Sequence, residues 1–158
     1  PPTLPTDGGY ELNPDAWRTE QHSDTEARLS SNDGIVTFAY TLGNSPATYA
    51  AIAYNLEGSD IESDGFIDFV VSASGPMRIS AQLRRGASGD HRWRNSFYAD
   101  QTVRRIQLSV RDFAAVITTT DSVTSSSGID GFLFVVDTVN HARNTSGEFY
   151  ISQIRIVD

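Results

Sequence analysis

The chain contains no cysteine and no lysine. Without cysteine there are no disulfides and no thiolate metal sites, so the fold must rest on its core, and a secreted or periplasmic home stays compatible. Without lysine, all 12 basic residues are arginines, set against 20 acids for a formal net charge of −8. That balance makes the chain a poor candidate for binding a nucleic-acid backbone, which requires clustered positive charge. No stretch approaches the length of a membrane-spanning helix, so no membrane insertion is expected. Also missing are an apolar stripe of helical period, an internal repeat, a G-x-S-x-G elbow and a phosphate-cradling glycine loop. His22, His91 and His141 stand in no metal-ligand spacing.

What is present suits one domain. A chain of 158 residues with 39% hydrophobic content can bury a sizeable core. The opening Pro1-Pro2-Thr3-Leu4-Pro5-Thr6-Asp7-Gly8-Gly9 reads as a linker, with neither a starting methionine nor a signal peptide. Residues 1–9 are therefore expected to join a single sandwich domain at 10–158 to the rest of a larger or processed protein. Short runs rich in Val, Ile, Phe, Tyr and Thr predict strands at 35–40, 48–55, 65–71, 76–84, 93–98, 103–110, 131–137 and 148–157. Residues 10–18 hold the start of another, and 121–129 and 141–147 read as loops. About eight or nine strands in one domain predict an all-β fold, a two-sheet antiparallel jelly-roll β-sandwich.

Alternation assigns faces. Met77, Ile79, Ala81 and Leu83 share one face of their strand; Arg78, Ser80, Gln82 and Arg84 share the other. In 132–137 both parities are apolar until Asp137, which predicts a central strand that delivers one carboxylate at its end. In the last strand Phe149 and Ile151 differ in parity from Ile154 and Ile156, so a bulge is expected near Ser152-Gln153.

The run Arg92-Trp93-Arg94-Asn95-Ser96-Phe97-Tyr98 carries the chemistry. A sugar offers C–H faces that stack on Trp or Tyr and hydroxyls that take polar partners. Trp93 and Tyr98 suit stacking; Gln82, Arg84, Arg94 and Asn95 suit hydrogen bonding. Parity sets Trp93, Asn95 and Phe97 on one face and Arg94, Ser96 and Tyr98 on the other, so Trp93 joins the second set only if the strand bulges. Asp60-Ile61-Glu62-Ser63-Asp64-Gly65-Phe66-Ile67-Asp68 imitates the start of a calcium loop, yet its twelfth position is Val71, where a bidentate Glu is needed, and its flanks are strand-like. It reads as a solvated turn before a strand. No strand shows closely spaced glutamates on one face, the arrangement expected of a sandwich-fold glycosidase.

Asp64–Val71, Met77–Arg84, Trp93–Asp100, Val103–Phe113 and Ile129–Asp158 together resemble the jelly-roll carbohydrate-binding modules of the galactose-binding-like superfamily. The template is a strand ending Q-L-R, an aromatic strand, an S-x-x-D-F turn (Ser109–Phe113) and an ending of the Gly147–Ile156 type, over about the last two thirds of the chain. The resemblance implies a structural calcium held partly by an Asp-Asp pair in the final strand. Here Ser152-Gln153 stands at that place, which leaves Glu11, Asp15 and Asp158 as oxygen donors; no cofactor is required for binding.

The function expected is a non-catalytic module that binds a polysaccharide or oligosaccharide on a concave sheet face through Gln82, Arg84, Trp93, Arg94, Tyr98 and Asp137. Such a module would be tethered to other domains of a secreted, periplasmic or cell-surface protein. The competing expectation is a structural or protein-interaction sandwich in which Arg84, Arg94 and Asp137 form an internal ion-pair network. A third, a small glycosidase or lyase, requires two facing carboxylates in a cleft.

Overall fold

The computed structural model describes residues 10–59, 61, 64–86, 91–116 and 128–157. The expected linker at 1–9, Asp60, Glu62 and Ser63 of the acidic loop, residues 121–127 of the Ser/Thr-rich loop and Asp158 lie outside the described residues. The strands in chain order are β1 (Tyr10–Glu11), β2 (Arg18–Gln21), β3 (Glu26–Asn32), β4 (Ile35–Thr41), β5 (Tyr49–Ser59) and β6 (Phe66–Ala73). They continue with β7 (Met77–Arg85), β8 (His91–Ala99), β9 (Arg104–Ser109), β10 (Ala114–Ala115), β11 (Ile129–Asp137) and β12 (Ser146–Val157). Every strand expected from the apolar pattern is present. β2, β3 and β10 were not expected, and each is a polar or two-residue strand at or next to a sheet edge.

Two antiparallel sheets face each other. The back sheet runs β3-β4-β12-β6-β9, with β1 added to β12; the front sheet runs β10-β8-β7-β11-β5-β2. Alternation decides which side chains fill the space between. Val36, Phe38 and Tyr40 of β4, Ile67, Phe69 and Val71 of β6, and Ile79, Ala81 and Leu83 of β7 are all buried on that account. Phe134 of β11 sits at the middle. Its ring lies 5.1 Å from Phe69 and 6.4 Å from Phe149 of the back sheet, and 5.9 Å from Phe97 and 4.8 Å from Phe132 of the front sheet. The contacts are mostly edge to face, the arrangement aromatic quadrupoles favour.

β12 bulges where its parity changes. Its register against β6 slips between Ser152 and Arg155, and Gln153 takes a positive φ of 53°. The extra residue turns Ile154 and Ile156 inward beside Phe149 and Ile151.

One polar knot fixes the loop between β4 and β5. Asp24 Oδ1 accepts from the Thr48 hydroxyl at 2.7 Å and lies 2.7 Å from His22 Nδ1, while Oδ2 accepts from the Ser45 N–H at 2.8 Å. Gly43 passes so close that a Cβ there would lie 2.3 Å from Asp24 Cγ. The Thr48 hydroxyl bond, then Ser45 and His22, hold the Asp24 carboxyl down from its ordinary 3.8 to about 2, against the opposing cost of desolvation. The carboxylate's contribution to stability is therefore complete above about pH 4 and lost as pH falls through 2. In Asp24→Asn that part of the acid decline should vanish from a profile of Tm against pH. A variant with the wild-type acid decline would show that the knot does not act through charge.

Candidate functional site

The outward face of the front sheet brings most of the expected residues together. Cross-strand neighbours share a face, so the register gives its rows. One row reads Arg94, Gln82, Leu133, Ala53 and Arg18 across β8, β7, β11, β5 and β2; the next reads Ser96, Ser80, Val135, Ala51 and Glu20. A third runs Arg92, Arg84, Gly131 and Asn55. Ala51, Ala53, Leu133 and Val135 form a buried apolar cluster separate from the main core, on the outside of the sandwich. This is why both parities of the Gly131–Asp137 run are apolar: one faces the core and the other floors a trough.

Arginine and glutamate wall that trough. Arg84 extends over Gly131, where a Cβ would sit 3.4 Å from its Nε, and reaches Glu20 at the sheet edge. Its Nη1 donates to Glu20 Oε1 at 3.1 Å and its Nη2 to Oε2 at 2.8 Å, a forked pair; Arg18 Nη2 adds a third bond to Oε2 at 3.2 Å. The Arg84 bond, and then the charges of Arg84, Arg18 and Arg92, hold the Glu20 carboxyl below its usual range despite the opposing cost of burial. Gln82, Tyr49, Thr48 and Asp137 complete a hollow of about 280 Å³. A second hollow of about 350 Å³ follows on the other side of Asp137 and Val139, lined by Ser80, Arg94, Ser96, Asp112 and Asn140. Val139 is 72% exposed and forms a ridge between the two.

Asp137 emerges at the end of β11, as expected of the central strand. Its Oδ1 accepts from the Val139 N–H at 3.1 Å and its backbone carbonyl from the His141 N–H at 3.0 Å, which fixes the turn carrying the ridge. His141 Nε2–H donates to the Arg78 carbonyl at 2.7 Å, so this histidine ties the turn to β7. The Gln82 amide donates to Ser80 Oγ at 3.3 Å. Arg94 points outward and has no hydrogen-bond or ion-pair partner among the described residues. Tyr98 is 46% exposed on the same face beside Arg78, outside the lining of both hollows, with the Arg104 guanidinium 6.0 Å from its ring centre.

Trp93 requires a correction. It was expected as a stacking platform, which needs a bulge in β8. The β7–β8 register runs without a slip from Met77↔Ala99 to Arg85↔His91, and Trp93 is fully buried with Leu83 opposite. Asn95 shares its inward parity and is half-buried. The expected network among Arg84, Arg94 and Asp137 is also absent among the described residues, since Arg84 spends its fork on Glu20. Glu20, Arg18 and Tyr49 were not anticipated. β2 is a four-residue polar edge strand, and its only signal was the alternation of Arg18 and Glu20.

Other candidate chemistry does not gather. Glu20 and Asp137 both line the first hollow, but a glycosidase acid needs a raised pKa, and Glu20 is held down by two arginines. Asp68 of the acidic run is fully buried on β6, with Arg105 Nε 3.7 Å from its Oδ1; burial raises its pKa while Arg105 and Arg155 oppose that. Glu11 lies opposite Arg155 on β1, and Asp15 accepts from the Ser31 hydroxyl at 2.5 Å. The described residues hold no group of three or more His, Cys, Asp or Glu suited to a metal ion, and Asp158, the third oxygen donor named for calcium, lies outside them. A larger hollow of about 810 Å³ lies along β3, β4 and β12 between Glu26, Arg28 and Glu148. Its one aromatic, Tyr40, is buried in the core, and none of the residues expected to bind sugar lines it.

The Family 11 carbohydrate-binding module from Clostridium thermocellum, solved in complex with a β-1,3-1,4-mixed-linked tetrasaccharide, superposes with a TM-score of 0.74 at 18% identity over 95% of both chains. The fold is that of the jelly-roll carbohydrate-binding modules. The Family 11 module of a cellulosomal cellulase from the same organism matches with a TM-score of 0.70 at 17% identity, over 95% of this chain and 94% of that one. An agarase matches at 0.64 and 10% identity, with 96% of this chain aligned to 25% of the agarase. No protein-family model matches the sequence, and no curated protein does. The chain thus shares the fold of these modules at low sequence identity.

Proposed function

We propose that this domain is a non-catalytic carbohydrate-binding module that holds a polysaccharide or oligosaccharide along the outward face of its front sheet. The observation that carries this reading is the second apolar cluster. Ala51, Ala53, Leu133 and Val135 are 0–7% exposed although they lie outside the sandwich, and polar groups rim them. An apolar floor with a few convergent polar groups suits a ring with C–H faces and hydroxyl edges. Gln82, Arg84, Arg94 and Asp137 supply donors and acceptors around it, and Tyr49 and Tyr98, 38% and 46% exposed, supply rings at one end. The likeness to a module solved with bound sugar supports the reading. Because a domain of this fold occupies about a quarter of an agarase, we read the chain as a unit of a larger secreted, periplasmic or surface protein.

Affinity electrophoresis through gels containing single polysaccharides tests the proposal. At least one polymer should retard the domain, and Gln82→Ala and Asp137→Ala should each weaken retention by about tenfold, equivalent to losing one good hydrogen bond. Tm should stay within a few degrees of wild type. A domain that migrates freely through a broad panel, including mixed-linked glucan and agarose, overturns the reading.

A further inference from the structure

The charge on the proposed sugar face opposes the charge of the molecule. The whole chain carries a net charge of −8. On the outward rows of the front sheet, among the described residues, Arg18, Arg78, Arg84, Arg92 and Arg94 stand against Glu20 and Asp137, with Asp112 also lining the hollow at Arg94. One carboxylate serves two guanidiniums at the Glu20 wall, which leaves a positive surplus there. Across the floor, Arg94 faces Gln82 where an acid would complete a cross-strand ion pair. Asp137 shares the second hollow with Arg94, yet it makes its bond to the Val139 N–H. The floor itself offers alanine, leucine and valine, with no aromatic ring. Stacking, which favours neutral sugars, is confined to the tyrosines at one end, whereas planar, unpaired arginine is the side chain best matched to a carboxylate or sulfate.

We propose that the trough takes an acidic glycan, with Arg94 and the arginines around Glu20 receiving the carboxylate or sulfate groups of successive sugar residues. Arg94 forks onto one anionic group at the second hollow. Arg18 and Arg84, already oriented by Glu20, present their remaining N–H groups to another. Gln82, between these two positions, donates to a hydroxyl. This inference rests on the glycan-binding reading above and adds the ligand's charge to it.

The test compares polymers that differ only in charge. Polygalacturonate is set against its methyl ester, and a sulfated galactan against its desulfated form, with alginate and neutral mixed-linked glucan alongside. Binding is read by affinity electrophoresis and by calorimetry with oligomers of the retarding polymer. At least one acidic polymer should bind about tenfold or more tightly than its neutral counterpart. Arg94→Gln, which keeps a polar side chain on an exposed strand position, should erase most of that preference while leaving Tm unchanged. Equal or tighter binding of the neutral forms, or a preference that survives in Arg94→Gln, overturns the acidic-glycan inference and leaves the sugar-binding reading intact. Failure of every polymer, charged and neutral, overturns both.

Discussion

Replacing Trp93 with alanine should lower the unfolding free energy by about 3–5 kcal/mol, the range for truncating a large buried aromatic. The ring is fully buried between Leu83 and Ala115 on the flanking strands, and the Arg85 guanidinium caps it 5.4 Å from its centre. For a domain of this size that corresponds to a fall in Tm of about 8–15 °C. Trp93→Phe refills much of the space and should lose markedly less. Urea titration measures both. Sugar binding by the folded fraction should be the same in Trp93→Phe as in wild type, because the side chain leaves the face opposite the trough. A Trp93→Ala protein of wild-type stability that no longer binds sugar would restore Trp93 as a platform and reverse the correction made above.

The second large effect belongs to the fork between Arg84 and Glu20. Glu20→Ala should destabilise the domain by about 1.5–3 kcal/mol, the scale of charge-assisted bonds lost from a partly buried donor. Arg84, with a side chain only 18% exposed, would lie across Gly131 with no acceptor at its end. Removing both partners should cost less than the sum of the single changes, and the double-mutant cycle reports the coupling. The pH dependence has a definite sign. Glu20 is held below its usual 4.5, so the fork's contribution is complete above that value and fades as pH falls through the lowered one. Arg84→Ala should remove that portion of the acid decline. A fully additive cycle would mean that the two side chains touch without contributing to stability.

Much of the core was legible because alternation is a strong signal where strands are central. Met77, Ile79, Ala81 and Leu83 face inward as their parity requires, and the parity change in β12 marks its bulge at Ser152–Arg155. The direction of β8 was harder to read, since Trp93 and Phe97 occupy one parity and Tyr98 the other. Both sets can face a core or a ligand, and burial settles on the one without a hydroxyl at the ring edge. The trough's wall was hidden for a different reason. Glu20 and Arg84 are 64 residues apart and meet only because the strand order is β7-β11-β5-β2. No local pattern carries that order. β3 was missed because Glu26–Asn32 has little β-propensity of its own and takes its extended form from seven pairs with β4.

The two-residue ladder between β1 and β12 has a mechanical consequence. Tyr10 pairs with Ile156 and Glu11 with Arg155 in antiparallel register, so the chain enters and leaves the sandwich side by side in the back sheet. Tension transmitted through both flanks would therefore peel these strands apart one bond at a time, as a zipper opens, and would not shear a whole ladder at once. The load path would start at β1 and run along β12, a strand of the back sheet. The front sheet, with its arginines and apolar floor, would stay off that path while the first bonds give way.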